Sequence, residues 1–174
     1  MNYRKAFATI AALIVSALVF APAAMAAEKE KDDDAVYRGL YAGISGGVAN
    51  HDDTDQAAWA LHAWYRPYNW AAIQMGYSDL GDDVNGFHAL VMPMVPLPSG
   101  ITLTGSVGVF IQTADGDDRD TLVTYGGGFM YEIPEESIGI NNILVRVDYE
   151  RYDDGGDSIN NFLLGFAYRF GIGS

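Results

Sequence analysis

Residues 143–152 read ILVRVDYERY, and apolar side chains alternate with charged ones along most of this stretch. One set of alternate positions is apolar, and the other holds the ions Arg146, Asp148 and Glu150. Because successive side chains of a strand point to opposite faces, the stretch predicts a strand with one apolar and one ionised face. In a soluble barrel the apolar face would form the core. In a membrane barrel it would contact lipid, and the ions would point into the lumen.

The start of the chain has the pattern of a secretory signal peptide. Arg4 and Lys5 precede an apolar run over residues 6–20, and residues 24–26 (Ala-Met-Ala) have the small-x-small form that signal peptidase cleaves. We therefore predict a signal peptide over residues 1–26. The sequence contains no Cys, so we expect neither disulfide bonds nor a lipoprotein anchor.

The remaining chain has the length of one domain. We predict a short acidic periplasmic tail over residues 27–36 and an outer-membrane barrel over residues 37–174. A membrane-spanning helix needs about 20 consecutive apolar residues. The best run after the signal peptide, residues 90–97, is shorter and contains two prolines. If the mature chain crosses a membrane, it should therefore do so as a closed barrel, in which every backbone polar group is paired.

The charge of the chain is concentrated in four short segments. The formal net charge is −13, and it becomes −15 once Arg4 and Lys5 are removed with the signal peptide. Four segments contribute a net charge of −3 each: NHDDTD (50–55), DLGDDVN (79–85), ADGDDRD (114–120) and DDGGDS (153–158). Residues 32–174 contain no Lys. A soluble barrel covers its exposed strand faces with Lys, Glu and Arg, so this distribution favours the membrane barrel.

Turn signals divide the chain into candidate strands at even spacing. The eight candidates are residues 38–48, 58–66, 70–79, 86–95, 101–112, 122–133, 142–152 and 160–170. Most of them set large apolar residues against small ones, which suit the crowded interior of a narrow barrel. The fourth alternates poorly and contains Pro93, so it is assigned from its spacing and from the need for an even number of strands. Aromatic residues near the strand ends resemble the girdles of outer-membrane barrels. The predicted fold is all-β, an eight-stranded antiparallel up-and-down transmembrane β-barrel.

Two kinds of connection alternate along the chain. The turns PYN, PLPSG and PEESIGINN alternate with the four Asp-rich segments. With an inward N-terminus, the Pro-containing turns would be periplasmic and the Asp-rich segments would be extracellular loops of about six to nine residues.

Two stretches carry a resemblance to a known family. Residues 61–81, LHAWYRPYNWAAIQMGYSDLG, and residues 145–171, VRVDYERYDDGGDSINNFLLGFAYRFG, are similar to hairpins of the OmpA-like outer-membrane β-barrel family. The resemblance implies an outer-membrane location and insertion by the barrel-assembly machinery. We expect no counterpart of the peptidoglycan-binding domain that larger members of the family carry. The family usually closes on a terminal aromatic residue, whereas Phe170 is followed by Gly-Ile-Gly-Ser, so we expect Phe170 to serve as an internal assembly signal.

Several polar side chains fall on the small-residue face of the predicted strands. They are Glu132, Arg146, Asp148, Glu150, Arg169 and Gln74, with His62 as a further candidate. Buried charges persist only when they are paired and hydrogen-bonded, so we expect these groups to form an ionic plug in the lumen. A structural role for this network is favoured over a gate that limits a small conductance.

The other polar motifs favour structural interpretations. The stretch DGDDRD (115–120) holds only fragments of a calcium loop, which needs fixed spacing, a turn Gly and a bidentate Glu, so we expect neither a metal nor a cofactor. Some eight-stranded outer-membrane barrels modify lipid A with His and Ser placed close together on one strand. No His-x-Ser pattern occurs at His51, His62 or His88, so we expect no enzyme.

The sequence thus predicts a non-enzymatic outer-membrane protein that supports the membrane and presents acidic loops at the cell surface. The alternatives are an adhesin or partner-binding protein that acts through these loops, and a narrow, porin-like ion channel. Expected partners are outer-membrane lipids and lipopolysaccharide, whose phosphates could share divalent cations with the loops, and the barrel-assembly machinery. No nucleic-acid partner is expected, and the protein is expected to be a monomer.

Overall fold

The computed structural model describes most of the chain from residue 39 onward. The described residues are 39–51, 54–98, 100–113, 120–153, 155–156 and 158–170. They form eight strands: β1 (Gly39–His51), β2 (Thr54–Tyr68), β3 (Ala71–Asp79), β4 (Asn85–Pro96), β5 (Ile101–Gln112), β6 (Thr121–Glu132), β7 (Ile143–Asp153) and β8 (Ser158–Phe170). A short helix, α1 (Glu135–Ile138), lies between β6 and β7. No helix in this part of the chain is long and apolar enough to cross a membrane. The predicted signal peptide and acidic tail lie outside the described residues.

The strands close into one barrel in chain order. Each strand pairs antiparallel with the next, and β1 pairs with β8 from Leu40–Phe170 to His51–Ile159. Closure leaves no strand edge with unpaired N–H and C=O groups, which a sheet in lipid could not tolerate. The predicted eight-stranded antiparallel up-and-down barrel is confirmed.

The up-and-down order sorts the connections onto two rims. The acidic rim carries the connections that contain the Asp-rich segments: residues 52–53, 80–84, 113–120 and 154–157. The terminal rim carries the first and last residues of the barrel, Gly39 and Phe170, and the other connections: residues 69–70, 97–100 and 133–142. The two kinds of connection therefore lie at opposite ends of the barrel, as their alternation along the chain predicts.

The first Asp-rich segment is mostly strand, so the predicted loop over residues 50–55 is wrong. The β1–β2 ladder continues to the pair His51–Thr54, and the Asn50 amide donates a hydrogen bond to Asp55 Oδ1 at 2.9 Å. Ladder hydrogen bonds join backbone groups, so polar side chains do not end a strand where it leaves the apolar zone. The connection is thereby shortened to residues 52–53.

Strand β4 alternates in burial although it does not alternate in polarity. Its inward side chains Leu90, Met92 and Met94 are buried, whereas the outward Val91 and Val95 are exposed. The β4–β5 pairing omits Met92 and Pro93, because proline has no N–H to donate to the ladder. This strand is apolar on both faces because one end of the lumen is itself apolar.

The outward face of the barrel is a continuous apolar surface. Ile44, Phe129 and Leu164 are among its exposed side chains. Aromatic residues gather towards both rims: Trp59, Tyr77 and Phe87 contact one another on the acidic side, and Tyr68–Trp70 and Tyr168–Phe170 form pairs on the terminal side. A tall apolar band between two aromatic girdles is the outer surface of a membrane barrel.

Candidate functional site

The centre of the lumen is organised by Arg146 on β7. The residue is 1% exposed, and its guanidinium makes a bidentate contact with Asp148, from Nε to Oδ2 at 2.5 Å and from Nη2 to Oδ1 at 2.9 Å. Its Nη1 donates to Gln74 Oε1 across the lumen at 2.8 Å. Bidentate, charge-assisted hydrogen bonds of this kind are among the strongest that side chains form. Arg146 therefore joins β7 to β3, the strand on the opposite side of the barrel.

Aromatic rings cover the face of this guanidinium. The Arg146 Cζ atom lies 5.0 Å from the centroid of the Trp64 ring, and Trp64 stacks on Tyr41 with centroids 4.9 Å apart and an angle of 3°. A cation over an aromatic face gains electrostatic stabilisation, and the gain is greater where water is excluded. All three side chains are buried. Trp64 and Tyr41 thus extend the site towards the terminal rim.

A chain of hydrogen bonds runs from Arg146 towards the acidic rim. Arginine can only donate, so Gln74 Oε1 is the acceptor and Gln74 Nε2 is free to donate to His88 Nε2, 3.3 Å away. His88 Nδ1 must then carry the proton of a neutral ring, and it donates to Ser78 Oγ at 3.1 Å. The tautomer of His88 is therefore set by Arg146 through one amide.

The two predicted carboxylates of β7 have different partners. Asp148 holds the bidentate ion pair with Arg146, whereas Glu150 accepts a hydrogen bond from the Tyr152 hydroxyl at 2.6 Å. On the facing strands, Ser45 Oγ lies 3.4 Å from His62 Nε2. Together with Arg146, Gln74 and His88 these groups form a polar layer across the middle of the barrel, which we call the central belt.

The remaining two predicted ions lie elsewhere, at the terminal rim. Arg169 Nη2 lies 2.8 Å from Glu132 Oε1 and donates to Asn142 Oδ1 at 2.7 Å. Their side chains are 14% and 22% exposed for Arg169 and Glu132, so this pair is more accessible to water than the central one. Nearby, Arg66 Nη2 donates to the Asn69 carbonyl oxygen at 2.5 Å. The structure therefore divides the predicted site residues between two groups of contacts.

Apolar layers close the lumen on both sides of the central belt. The layer towards the terminal rim consists of Tyr41, Trp64, Ala72, Leu90, Met92, Met94, Met130, Leu144 and Ala167. The layer towards the acidic rim consists of Ala49, Ala58, Ala60, Leu80, Phe110, Leu122, Tyr152 and Leu163. An interior of eight strands is just wide enough to be filled by side chains. The lumen is thus packed along its length rather than open.

Leu80, in the connection between β3 and β4, packs into the lumen at the acidic rim. It follows β3 directly and is fully buried in the apolar layer. Its N–H donates to the Val84 carbonyl at 2.8 Å, and its own carbonyl accepts from His51 Nε2 at 2.7 Å. The connection of residues 80–84 therefore folds over the mouth. Its Asp-rich composition gave no sign of this, because only Leu80 and Val84 are apolar.

Glycines on neighbouring strands make room for the ions of β7. In the strand register, Gly165 is opposite Arg146, Gly128 is opposite Asp148 and Gly126 is opposite Glu150. A Cβ atom on Gly128 would collide with the backbone of β7 and would also lie 3.0 Å from Asp148 Oδ1. Inward glycine is therefore a packing requirement of the central belt.

Replacing Gly128 with alanine is expected to lower the free energy of unfolding by about 1–3 kcal/mol, because an overpacked interior forces the strands and Asp148 to shift. Urea unfolding in detergent, followed by Trp fluorescence, measures the loss. Gly46 is the matched control, since it faces outward and a Cβ atom there would have its nearest neighbour 3.9 Å away. Equal stability of Gly128→Ala and Gly46→Ala would contradict the packing argument.

Two buried histidines of the lumen each lie beside a serine. Ser45–His62 and Ser78–His88 are within contact distance, although neither pair is close in sequence. All four residues are buried. Among the described residues no cluster of three or more His, Cys, Asp or Glu could hold a metal ion. Residues 115–119 of the calcium-like stretch lie outside the described part.

Sequence reasoning missed Trp64, Tyr41, His88, Ser78 and Tyr152 as members of these contacts. All of them occupy inward positions of their strands, which the burial pattern shows directly. A signal was available in the sequence for some of them, because the period of two places His88 in the same set as Leu90 and Met92. It was not recognised, since apolar residues on an inward face were not expected.

Comparison with known proteins identifies the fold. No protein-family model matches the sequence, and no match is found among curated proteins. The chain is similar to a de novo designed transmembrane β-barrel, with a TM-score of 0.59, 15% identity and coverage of 76% of this chain and 95% of that one. It is similar to the N-terminal β-barrel domain of OprF from Pseudomonas aeruginosa, with a TM-score of 0.56, 16% identity and coverage of 76% and 98%. It is also similar to Ail, the attachment invasion locus protein of Yersinia pestis, with a TM-score of 0.52, 15% identity and coverage of 76% and 99%. The chain is an eight-stranded transmembrane β-barrel with the fold of the OmpA-like outer-membrane barrels.

Proposed function

We propose that this protein is a non-enzymatic barrel of the bacterial outer membrane that supports the membrane and presents acidic segments at its surface. The observation that carries the proposal is the packed lumen, in which the Arg146–Asp148 pair lies between two apolar layers. A barrel with a filled interior offers its outer wall and its rims for function, and not a path through its centre.

The outer wall supports a location in a membrane. Large apolar side chains cover the strands on the outside, and the aromatic girdles stand near both rims. In water such a surface would drive aggregation, because soluble monomers rarely expose large contiguous apolar patches. In a bilayer the same surface is stabilised by contact with acyl chains. In bacteria, barrels of this type are found in the outer membrane, which is why we propose that location.

The acidic rim supports a role at the surface. Four segments with a net charge of −3 each are connections or strand ends of this one rim. Such a local field attracts divalent cations, and these cations could join the rim to phosphates of lipopolysaccharide. We propose these lipids as partners, the barrel-assembly machinery as the partner during insertion, and the monomer as the working form. The alternative of a surface binding protein uses the same rim, and replacing its Asp residues with Asn would test it by loss of cell binding.

The channel alternative is tested by planar-bilayer recording of the refolded protein. We expect little or no conductance from the wild type, because an ion would have to displace Arg146 and both apolar layers. Arg146→Ala should raise the conductance, since it removes the longest inward side chain of the central belt. Arg169→Ala is the control: it empties space at the terminal rim and leaves the central belt intact. A large, steady wild-type conductance that Arg146→Ala does not change would reject the packed lumen as a barrier and favour the channel.

A further inference from the structure

One cation of the barrel points towards lipid. Of the four arginines in the described residues, Arg66, Arg146 and Arg169 occupy inward positions, whereas Arg151 lies on the outward face of β7. Its side chain is 38% exposed. It stands two outward positions closer to the acidic rim than Val147, and β7 ends two residues later at Asp153. This is the depth at which lipid headgroups meet a membrane protein.

A second donor lies beside Arg151. In the β7–β8 ladder Arg151 is directly opposite Asn160, and both side chains face outward. The Tyr149 hydroxyl donates to Asn160 Oδ1 at 2.8 Å. That hydrogen bond engages the amide oxygen, and within the described part of the chain the amide NH₂ of Asn160 remains available to donate. A guanidinium and an amide NH₂ therefore stand side by side, and both can only donate.

Among the described residues, the carboxylate beside Arg151 is Asp153, and it does not neutralise this pair of donors. Asp153 Oδ1 accepts a hydrogen bond from the Gly155 N–H at 2.7 Å, and Asp153 Oδ2 lies 4.0 Å from Arg151 Nε. An exposed ion pair at that separation contributes little. Across the other ladder Arg151 is opposite Tyr125, so the cation is flanked on its own face by the exposed tyrosines Tyr125 and Tyr149.

We propose that Arg151 and Asn160 form a binding site for the phosphate group of a membrane lipid in the leaflet at the acidic rim. The site rests on the proposed membrane location. Guanidinium groups bind phosphate through paired N–H donors, and the amide supplies a further donor in a fixed orientation. The phenols of Tyr125 and Tyr149 border the site at the level of the interface. A lipid phosphate bound here would anchor the barrel at a rim whose other charges repel anions.

Lipid selectivity in bilayers of known composition tests this site. The protein is refolded into phosphatidylcholine vesicles that contain trace amounts of spin-labelled phosphatidic acid or spin-labelled phosphatidylcholine, at low salt with EDTA. The ratio of the two association constants reports preference for an exposed phosphate. We expect Arg151→Gln to reduce this ratio about fivefold, as expected from the contribution of one arginine near a membrane surface. Arg151→Lys should retain part of the preference. Asn160→Asp should lower it, because the amide donor is lost and a negative charge is placed opposite Arg151.

Thr54→Glu is the matched control, since it makes the same change in net charge at the acidic rim but on β2. If Thr54→Glu lowers the ratio as much as Arg151→Gln does, the preference reflects the field of the whole rim and the site is rejected. The site is also rejected if both the wild type and Arg151→Gln prefer phosphatidic acid only when Ca²⁺ is present. The acidic segments would then bind the lipid through Ca²⁺. Far-UV circular dichroism and the shifted migration of folded barrels confirm insertion. An inserted wild type without preference rejects this site alone, whereas a wild type that does not insert rejects the membrane location as well.

Discussion

Arg146→Ala is expected to lower the free energy of unfolding by about 3–5 kcal/mol, because it leaves a buried carboxylate without its cation. Asp148 would lose both hydrogen bonds of the bidentate pair, and the Gln74 amide would lose the donor that orients it. Trp64 would lose the cation over its ring. The substitution should therefore disturb the contacts along the chain of hydrogen bonds to His88, and not only those of one side chain.

Urea unfolding of the refolded protein measures this loss, provided that the dependence of the free energy on denaturant stays the same in both proteins. Arg169→Ala serves as the control, since it also removes an inward arginine with a carboxylate partner, but at the accessible terminal rim. We expect a smaller loss than for Arg146→Ala, because the Glu132 carboxylate left behind is 22% exposed and water can solvate it. The double variant Arg146→Met with Asp148→Leu should recover most of the stability, because apolar residues of similar size replace buried ion pairs well. A loss below about 1 kcal/mol for Arg146→Ala would contradict the role given to the central belt.

The fold was predictable because lipid and lumen impose different requirements on alternate residues. Along β7 and β8 one face needs large apolar side chains and the other needs small or polar ones, so a period of two appears in the sequence itself. Closure then follows from backbone chemistry, since lipid cannot satisfy a free strand edge. The Asp-rich segments marked one rim because they alternate with the proline-containing turns along the chain.

The contacts within the lumen were only partly predictable. A period of two identifies the inward residues, but it does not give the register between strands, so it could not show that Arg146 contacts Gln74 on β3. It also could not separate Arg169 and Glu132 from the central belt, because depth along the barrel depends on the tilt and stagger of the strands. Leu90, Met92 and Met94 resembled lipid-facing residues, since an apolar lumen layer and lipid select the same side chains. The burial of Leu80 was not predictable, because its neighbours in the sequence are mostly aspartates.

Val147→Arg is expected to lower the free energy of unfolding by about 2–4 kcal/mol, the cost of placing an arginine on the lipid face near the midplane of a barrel. Val147 is an outward residue at the centre of β7, and its neighbours across both ladders are the exposed apolar residues Phe129 and Leu164. No described acid lies on this part of the outer wall. The guanidinium would have to reach a rim to be solvated.

Unfolding from vesicles compares Val147→Arg with Thr121→Arg, in which the same side chain is placed on an exposed residue at the acidic end of β6. Near the interface the cost falls to about 0–1 kcal/mol, so the difference between the two variants isolates the effect of depth in the membrane. Spin labels at successive positions from 145 to 150 provide an independent measure. Their accessibility to a lipid-soluble quencher should be high at Val145, Val147 and Tyr149 and low at the positions between them. Equal costs for the two variants together with uniform accessibility would mean that the outward face of β7 does not contact lipid. The apolar face of β7 would then form the core of a soluble barrel, and Arg146, Asp148 and Glu150 would face water.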